Sequence, residues 1–274
     1  MTAPTEHWIE HPEGRLFARH WQPDVPPGSG APAPLVLFHD SLGCVDLWRD
    51  FPGLLASATG RAVIAYDRLG FGRSTACAGR PGLDFIAEEA VRHFPSVIAH
   101  FALKRFVLLG HSVGGGMAIC CAAAHHETCV AAVTIAAQAF VEDRTRAGIT
   151  AAWQEFRHPD QADRLARYHG DKAAWVLDAW TGVWLDPAFA GWSLAAILPR
   201  VRCPMLTIHG GRDEYGSDRH PELIGRLSGG PTQVDILPAA GHLPHREDPH
   251  GLAARVARFL HNMPHGIATA RASA

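Results

Sequence analysis

The sequence predicts an α/β fold with a mostly parallel central sheet flanked by helices. Three observations carry the prediction. Short apolar runs bounded by turn residues recur along the chain, with helical stretches between them. Most of these runs lack polar alternation, as expected for strands covered on both faces. The 274 residues, 47% of them hydrophobic, suit one large domain with an inserted piece better than two full domains.

The elements follow in order. EHWIEHPEGRLFARHWQP, at 6–23, reads as a hairpin turning at Pro12, Glu13 and Gly14. Strands are then expected in APLVLFHD (33–40), RAVIAYD (61–67), RFVLLGH (105–111), VAAVTIAA (130–137), PMLTIHG (204–210) and TQVDILPA (232–239). Helices are expected at 45–58, 85–101, 113–125, 221–227 and 249–263. No internal repeat is visible, and the small, polar tail at 265–274 is expected to fray.

Residues 140–199 break the rhythm. They hold no convincing strand but five of the eight tryptophans: Trp153, Trp175, Trp180, Trp184 and Trp192. A helical cap inserted after the sixth strand, laid over the end of the sheet, accounts for both features, since aromatic lining is usual in small-molecule pockets. Residues 1–139 and 200–274 then form the core domain. Packing the cap onto that core is the other role such rings play.

A formal charge of −2 provides no basic field to draw nucleic acid or an anionic membrane. Cys44, Cys77, Cys120, Cys121, Cys129 and Cys203 show neither disulfide-framework nor zinc-site spacing. Glu6, His7 and Glu10 stand where a signal peptide would need an apolar run, and no stretch of about 18 apolar residues occurs. The expectation is a cytoplasmic protein acting on a small molecule, with no nucleic acid or membrane partner, homodimerisation being left open.

LLGHSVGGGMA, at 108–118, concentrates the chemistry. Ser112 sits between a strand and a helix, flanked by Gly110 and Gly114, which is the context of a nucleophile elbow. Small neighbours let strand and helix approach closely, and the Val113 N–H at the helix start faces the space where an oxyanion would form. A seryl nucleophile needs a base, and the base needs an orienting carboxylate, in the chain order Ser, acid, His. Asp213, after the strand at 204–210, is the acid candidate, with Glu214 as fallback. His242, after the last strand, stands out from the eighteen histidines as the base, and His245 is its decoy. The second oxyanion donor is expected to be the Ser41 N–H, with Leu42 behind it.

With these residues in place, the chain resembles the α/β-hydrolase fold superfamily over about residues 15–262. The resemblance rests on FHDSLG, YDRLGFGRS, GHSVGG, GGRDEYG and AAGHLPHREDP, five motifs in family-like order. It implies that 140–199 is the helical cap of the smaller, cap-bearing serine hydrolases, a group that includes esterases, lactonases and carbon–carbon bond hydrolases. One departure stands out: Asp40 follows His39 where the family usually has Gly. A carboxylate there opposes an oxyanion unless it points away or is paired.

The expected activity is hydrolysis of a small apolar or aromatic carboxylic ester by Ser112, His242 and Asp213, with no metal or organic cofactor. Trp48, Phe71, Phe140, Trp153, Trp175, Trp180 and Trp184 are the expected substrate contacts. A carbon–carbon bond hydrolase acting on a ring-cleavage product is the alternative, although His111 stands where those enzymes commonly carry Asn. Arg164 and Arg167 could supply the cation they use. A thioesterase and a non-enzymatic ligand receptor also stay open. Epoxide hydrolases and haloalkane dehalogenases place a carboxylate where Ser112 stands.

Overall fold

The computed structural model describes residues 3–24 and 31–263, so the 265–274 tail lies outside the described residues. The strands are β1 (Thr5–His11), β2 (Gly14–Trp21), β3 (Leu35–Phe38), β4 (Val63–Tyr66), β5 (Phe106–His111), β6 (Cys129–Ile135), β7 (Met205–Gly210) and β8 (Thr232–Leu237). They form one eight-stranded sheet in the order β1-β2-β4-β3-β5-β6-β7-β8. β2 runs antiparallel to β1 and to β4, and every other pair is parallel.

The unbroken apolar runs have a direct structural cause. In β3 and β5, Val36, Phe38, Phe106 and Leu108 enter one core layer, while Leu35, Leu37, Val107 and Leu109 enter the other. Both faces are therefore covered. One cover consists of α1 (Phe51–Thr59) and, from the far end of the chain, α10 (Pro249–His261). The opposite cover includes α2 (Phe85–Glu88), α3 (Phe94–His100), α4 (Val113–Ala124) and α8 (Arg219–Leu227).

Two expected helices are interrupted. The stretch at 45–58 splits into a 3₁₀ turn, Val45–Trp48, and α1. The stretch at 85–101 passes through a π-helical turn, Glu89–His93, just before Pro95, whose missing N–H removes a ladder donor.

Between β6 and β7 the chain makes a helical excursion: α5 (Asp143–Glu155), α6 (Pro159–His169) and α7 (Ala173–Trp184), then short 3₁₀ turns. An isolated bridge, Phe140 to Ser193, ties its two ends together. A short α9 (Pro244–Glu247) precedes α10. No helix among the described residues is long and apolar enough to cross a membrane.

Candidate active site

Parallel strands bring their carboxyl ends to one edge, and the loops after β3, β5, β7 and β8 meet there. β5 stops at His111, α4 starts at Val113, and Ser112 joins them with φ 56° and ψ −124°. A non-glycine residue in such a conformation costs on the order of 1–3 kcal/mol. Close packing enforces it. A Cβ on Gly110 would lie 2.0 Å from the Gly114 carbonyl oxygen, and one on Gly114 would lie 2.2 Å from that of Phe38.

Ser112 Oγ lies 3.0 Å from His242 Nε2, and His242 Nδ1 lies 2.8 Å from Asp213 Oδ2. All three residues are buried. Burial alone would depress the His242 pKa, but the hydrogen bond and charge of Asp213, helped by Glu214 and Asp40, raise it above the ordinary imidazole value of 6.5. Burial likewise pushes the Asp213 carboxyl up, and His242, His209 and the Tyr215 N–H outweigh it, leaving the pKa lowered. Glu214 reaches the imidazole only through its charge. His245 packs between Trp48 and His111, and burial holds it well below the ordinary imidazole pKa.

The acid loop is held from two sides. Asp213 Oδ1 accepts the N–H groups of Tyr215 (2.7 Å) and Gly216 (3.1 Å). From the start of the helical excursion, Glu142 accepts Ser217 N–H (2.7 Å), Ser217 Oγ–H (2.9 Å) and His220 Nε2–H (3.1 Å). Arg144 donates to the Asp213 carbonyl (3.2 Å), and Thr145 Oγ1 to that of Tyr215 (2.6 Å).

The loop after β3 shows how Asp40 is accommodated. Its Oδ1 accepts the Leu42 N–H at 2.9 Å, and its Oδ2 lies 3.3 Å from His111 Nδ1. Burial disfavours this carboxylate, yet His111, Arg246 and His39 together lower its pKa, so it is ionised and engaged. With the Leu42 N–H taken, Ser41 keeps its place as the candidate donor of this loop. The Val113 N–H, first in α4, has no intrahelical acceptor. His111 Nε2–H also donates to the His242 carbonyl at 2.8 Å, tying the histidine loop to the elbow. His169, at the end of α6, donates to the Leu42 carbonyl at 3.0 Å.

A cavity of about 420 Å³ opens above Ser112 and His242. Of the aromatic residues expected to contact substrate, Trp180 and Trp184 line it, one helical turn apart on α7. The other five lie off its wall, which corrects the expectation for each. Trp48 is packed against Phe51 and His245 beneath the site. Phe71 lies against His39 and under the Arg68 guanidinium. Phe140 packs on His220. Trp153 is 40% exposed and meets Arg157. Trp175, on another face of α7 from Trp180, packs edge-on to Phe71 and donates to the Gly79 carbonyl. Arg164 lines the cavity, whereas Arg167 is an exposed residue off the wall.

Several residues at the site carried no sequence signal. Gln138 offers its amide oxygen 3.2 Å from Ser112 Oγ, a second acceptor for that hydroxyl. Arg246, in the same motif as His242, reaches the cavity wall, as does Tyr215 beside Asp213. His209 Nε2 stands 3.7 Å from Asp213 Oδ2. Among the described residues, no group of three or more His, Cys, Asp or Glu could hold a metal ion.

Residues 35–255 match the family model described as Alpha/beta hydrolase family. Among curated proteins, the 1-acylglycerol-3-phosphate O-acyltransferase ABHD5 of Homo sapiens is 42% identical over 89 residues, 31% of this chain and 24% of that protein. A proline iminopeptidase of Lactobacillus helveticus is 37% identical over 86 residues, 31% of this chain and 29% of that protein. The matches thus span only 24% and 29% of those relatives' own lengths. Among solved structures, a serine hydrolase from the polyaromatic hydrocarbon-degrading bacterium Cycloclasticus zankles superposes with a TM-score of 0.78 at 16% identity, over 96% of this chain and 100% of that one. A proline iminopeptidase of Mycobacterium smegmatis gives 0.70 at 23% identity, over 94% and 98%. At these identities the likeness shows the fold.

Proposed function

The chain belongs to the alpha/beta hydrolase family, and from that premise we propose that it is a serine hydrolase cleaving a small carboxylic ester with an apolar or aromatic part. The observation that carries the reading is the buried relay of Ser112, His242 and Asp213, linked at 3.0 and 2.8 Å. Asp213 holds the imidazole proton on Nδ1, which leaves Nε2 free to take the Ser112 proton as Oγ attacks the ester carbonyl. Val113 and Ser41 N–H groups stabilise the tetrahedral oxyanion. The His242 imidazolium protonates the departing alkoxide, and a water activated by the same imidazole then releases the acid. No step draws on a cofactor.

The apolar part of the substrate rests on Ile149, Phe156, Trp180 and Trp184, side chains of the helical excursion, which acts as the cap. Six free cysteines support a reducing, cytoplasmic setting.

Steady-state hydrolysis of aryl esters graded from short to long acyl chains, by wild type and Ser112→Ala, tests the reading. The expected loss of kcat in the variant is roughly 10⁴- to 10⁶-fold. Undiminished turnover by Ser112→Ala refutes the mechanism. A single slow acylation without repeated cycles favours a receptor.

A further inference from the structure

The cavity wall is chemically divided. Helix α6 turns Gln161, Arg164, Leu165 and Tyr168 toward it, the i, i+3, i+4, i+7 set of one helical face. A helix face turned to an apolar interior normally carries an apolar stripe. Here three of the four side chains are polar.

Arg246 reaches the same wall from α9, four residues beyond His242. Its Nε is buried and has no hydrogen-bond partner. Among the described residues, neither Arg246 nor Arg164 makes an ion pair within 4.0 Å. The Arg164 charge is felt at Arg246: burial depresses the Arg246 pKa most, Arg49 and Arg164 add to it, and Asp40 and Tyr168 oppose it. Arg246 is half-buried and meets Asp40 only through charge, so its buried Nε–H lacks an acceptor that an incoming anion supplies.

The acids of the wall leave that role open. Asp40 is already engaged by the Leu42 N–H and by His111. Glu155 and Glu214 also line the cavity, and among the described residues neither pairs with Arg164 or Arg246 within 4.0 Å.

We propose that this end of the cavity binds an anionic oxygen group of the substrate, a carboxylate or a phosphate, held by Arg246 and Arg164 with Tyr168 and Gln161 as neutral donors. The substrate is then amphipathic, its apolar part against Trp180 and Trp184 and its anion at the α6 face. This deepens the serine hydrolase reading, on which it rests for the reaction but not for the binding.

Fluorescence titration tests it without bond cleavage, because Trp180 and Trp184 report on cavity occupancy. The probes are hexanoate, hexyl phosphate and the neutral hexanamide. At least one anion is expected to bind ten or more times tighter than hexanamide, since charge-assisted hydrogen bonds are about twice as strong as neutral ones. Arg246→Gln and Arg164→Gln should each erase most of that advantage, and Arg246→Lys should restore part of it. Whichever anion binds tighter identifies the group. Equal binding of all three probes overturns the proposal, as does an anion preference that survives the Arg164→Gln/Arg246→Gln double variant. The Arg164 substitution lies on an exposed part of α6, so it keeps the test open if Arg246→Gln fails to fold. If anions bind selectively while no ester is turned over, the site stands and the hydrolase reading falls.

Discussion

Asp213→Asn should abolish nearly all activity while leaving the fold intact, and the hydrogen bonds around residue 213 show why. Asp213 Oδ1 accepts from the Tyr215 and Gly216 N–H groups at 2.7 and 3.1 Å, and only Oδ2 faces His242 Nδ1. An asparagine must keep its carbonyl oxygen toward the two N–H donors, because its amide hydrogens would collide with them. Its NH₂ group is then directed at Nδ1, which must act as acceptor. The imidazole proton moves to Nε2, 3.0 Å from Ser112 Oγ, and that nitrogen can no longer receive the hydroxyl proton. Loss of the correct tautomer in a serine triad costs about 10⁴ in kcat, on the order of 5 kcal/mol. The assay is kcat on an aryl ester for wild type and variant. It is paired with the labelling rate of Ser112 by a fluorophosphonate, which needs no knowledge of the natural substrate. The melting temperature should hold, since both backbone bonds persist. A loss smaller than tenfold, with the fold intact, would refute the tautomer argument.

The remaining predictions concern pH and packing. Because His242 must be neutral to act as base and its pKa is raised, the acid limb of the kcat/KM profile should have its midpoint above 6.5; a midpoint below that value would contradict the Asp213 coupling. Stability should also fall on acidification. Burial lowers the pKa of His39 and His245, and of His220 to about 4, so below 6.5 the unfolded chain binds more protons and stability falls as the pH falls. His220 alone should cost about 2 kcal/mol between pH 7.5 and pH 5, opposed by His242, and melting curves at the two values check the sign. Gly114→Ala places a Cβ 2.2 Å from the Phe38 carbonyl oxygen, where only backbone can yield. Urea unfolding should show a loss of about 3 kcal/mol or more, and a change below about 1 kcal/mol would mean that the elbow is looser than described.

The features legible in the sequence were local. The β3 and β5 runs are apolar throughout because their two faces feed two core layers, and that pattern survives without neighbours. Gly110 and Gly114 mark the elbow, since a close backbone approach leaves no room for other residues. Ser112, Asp213 and His242 each stand just after a strand, and parallel strands deliver the loops at their carboxyl ends to one edge. Other features depended on partners far apart in the chain. Asp40 meets His111 across 71 residues, and His111 meets the His242 carbonyl across 131, so no spacing could reveal that the carboxylate is engaged. Which tryptophans face the cavity depended on the rotation of α7, which packing alone sets: Trp180 and Trp184 share a face that Trp175 does not. The polar face of α6 reads in one dimension as an ordinary solvated helix. Only the tertiary structure turns that face toward the cavity above the nucleophile, where Arg246 joins it.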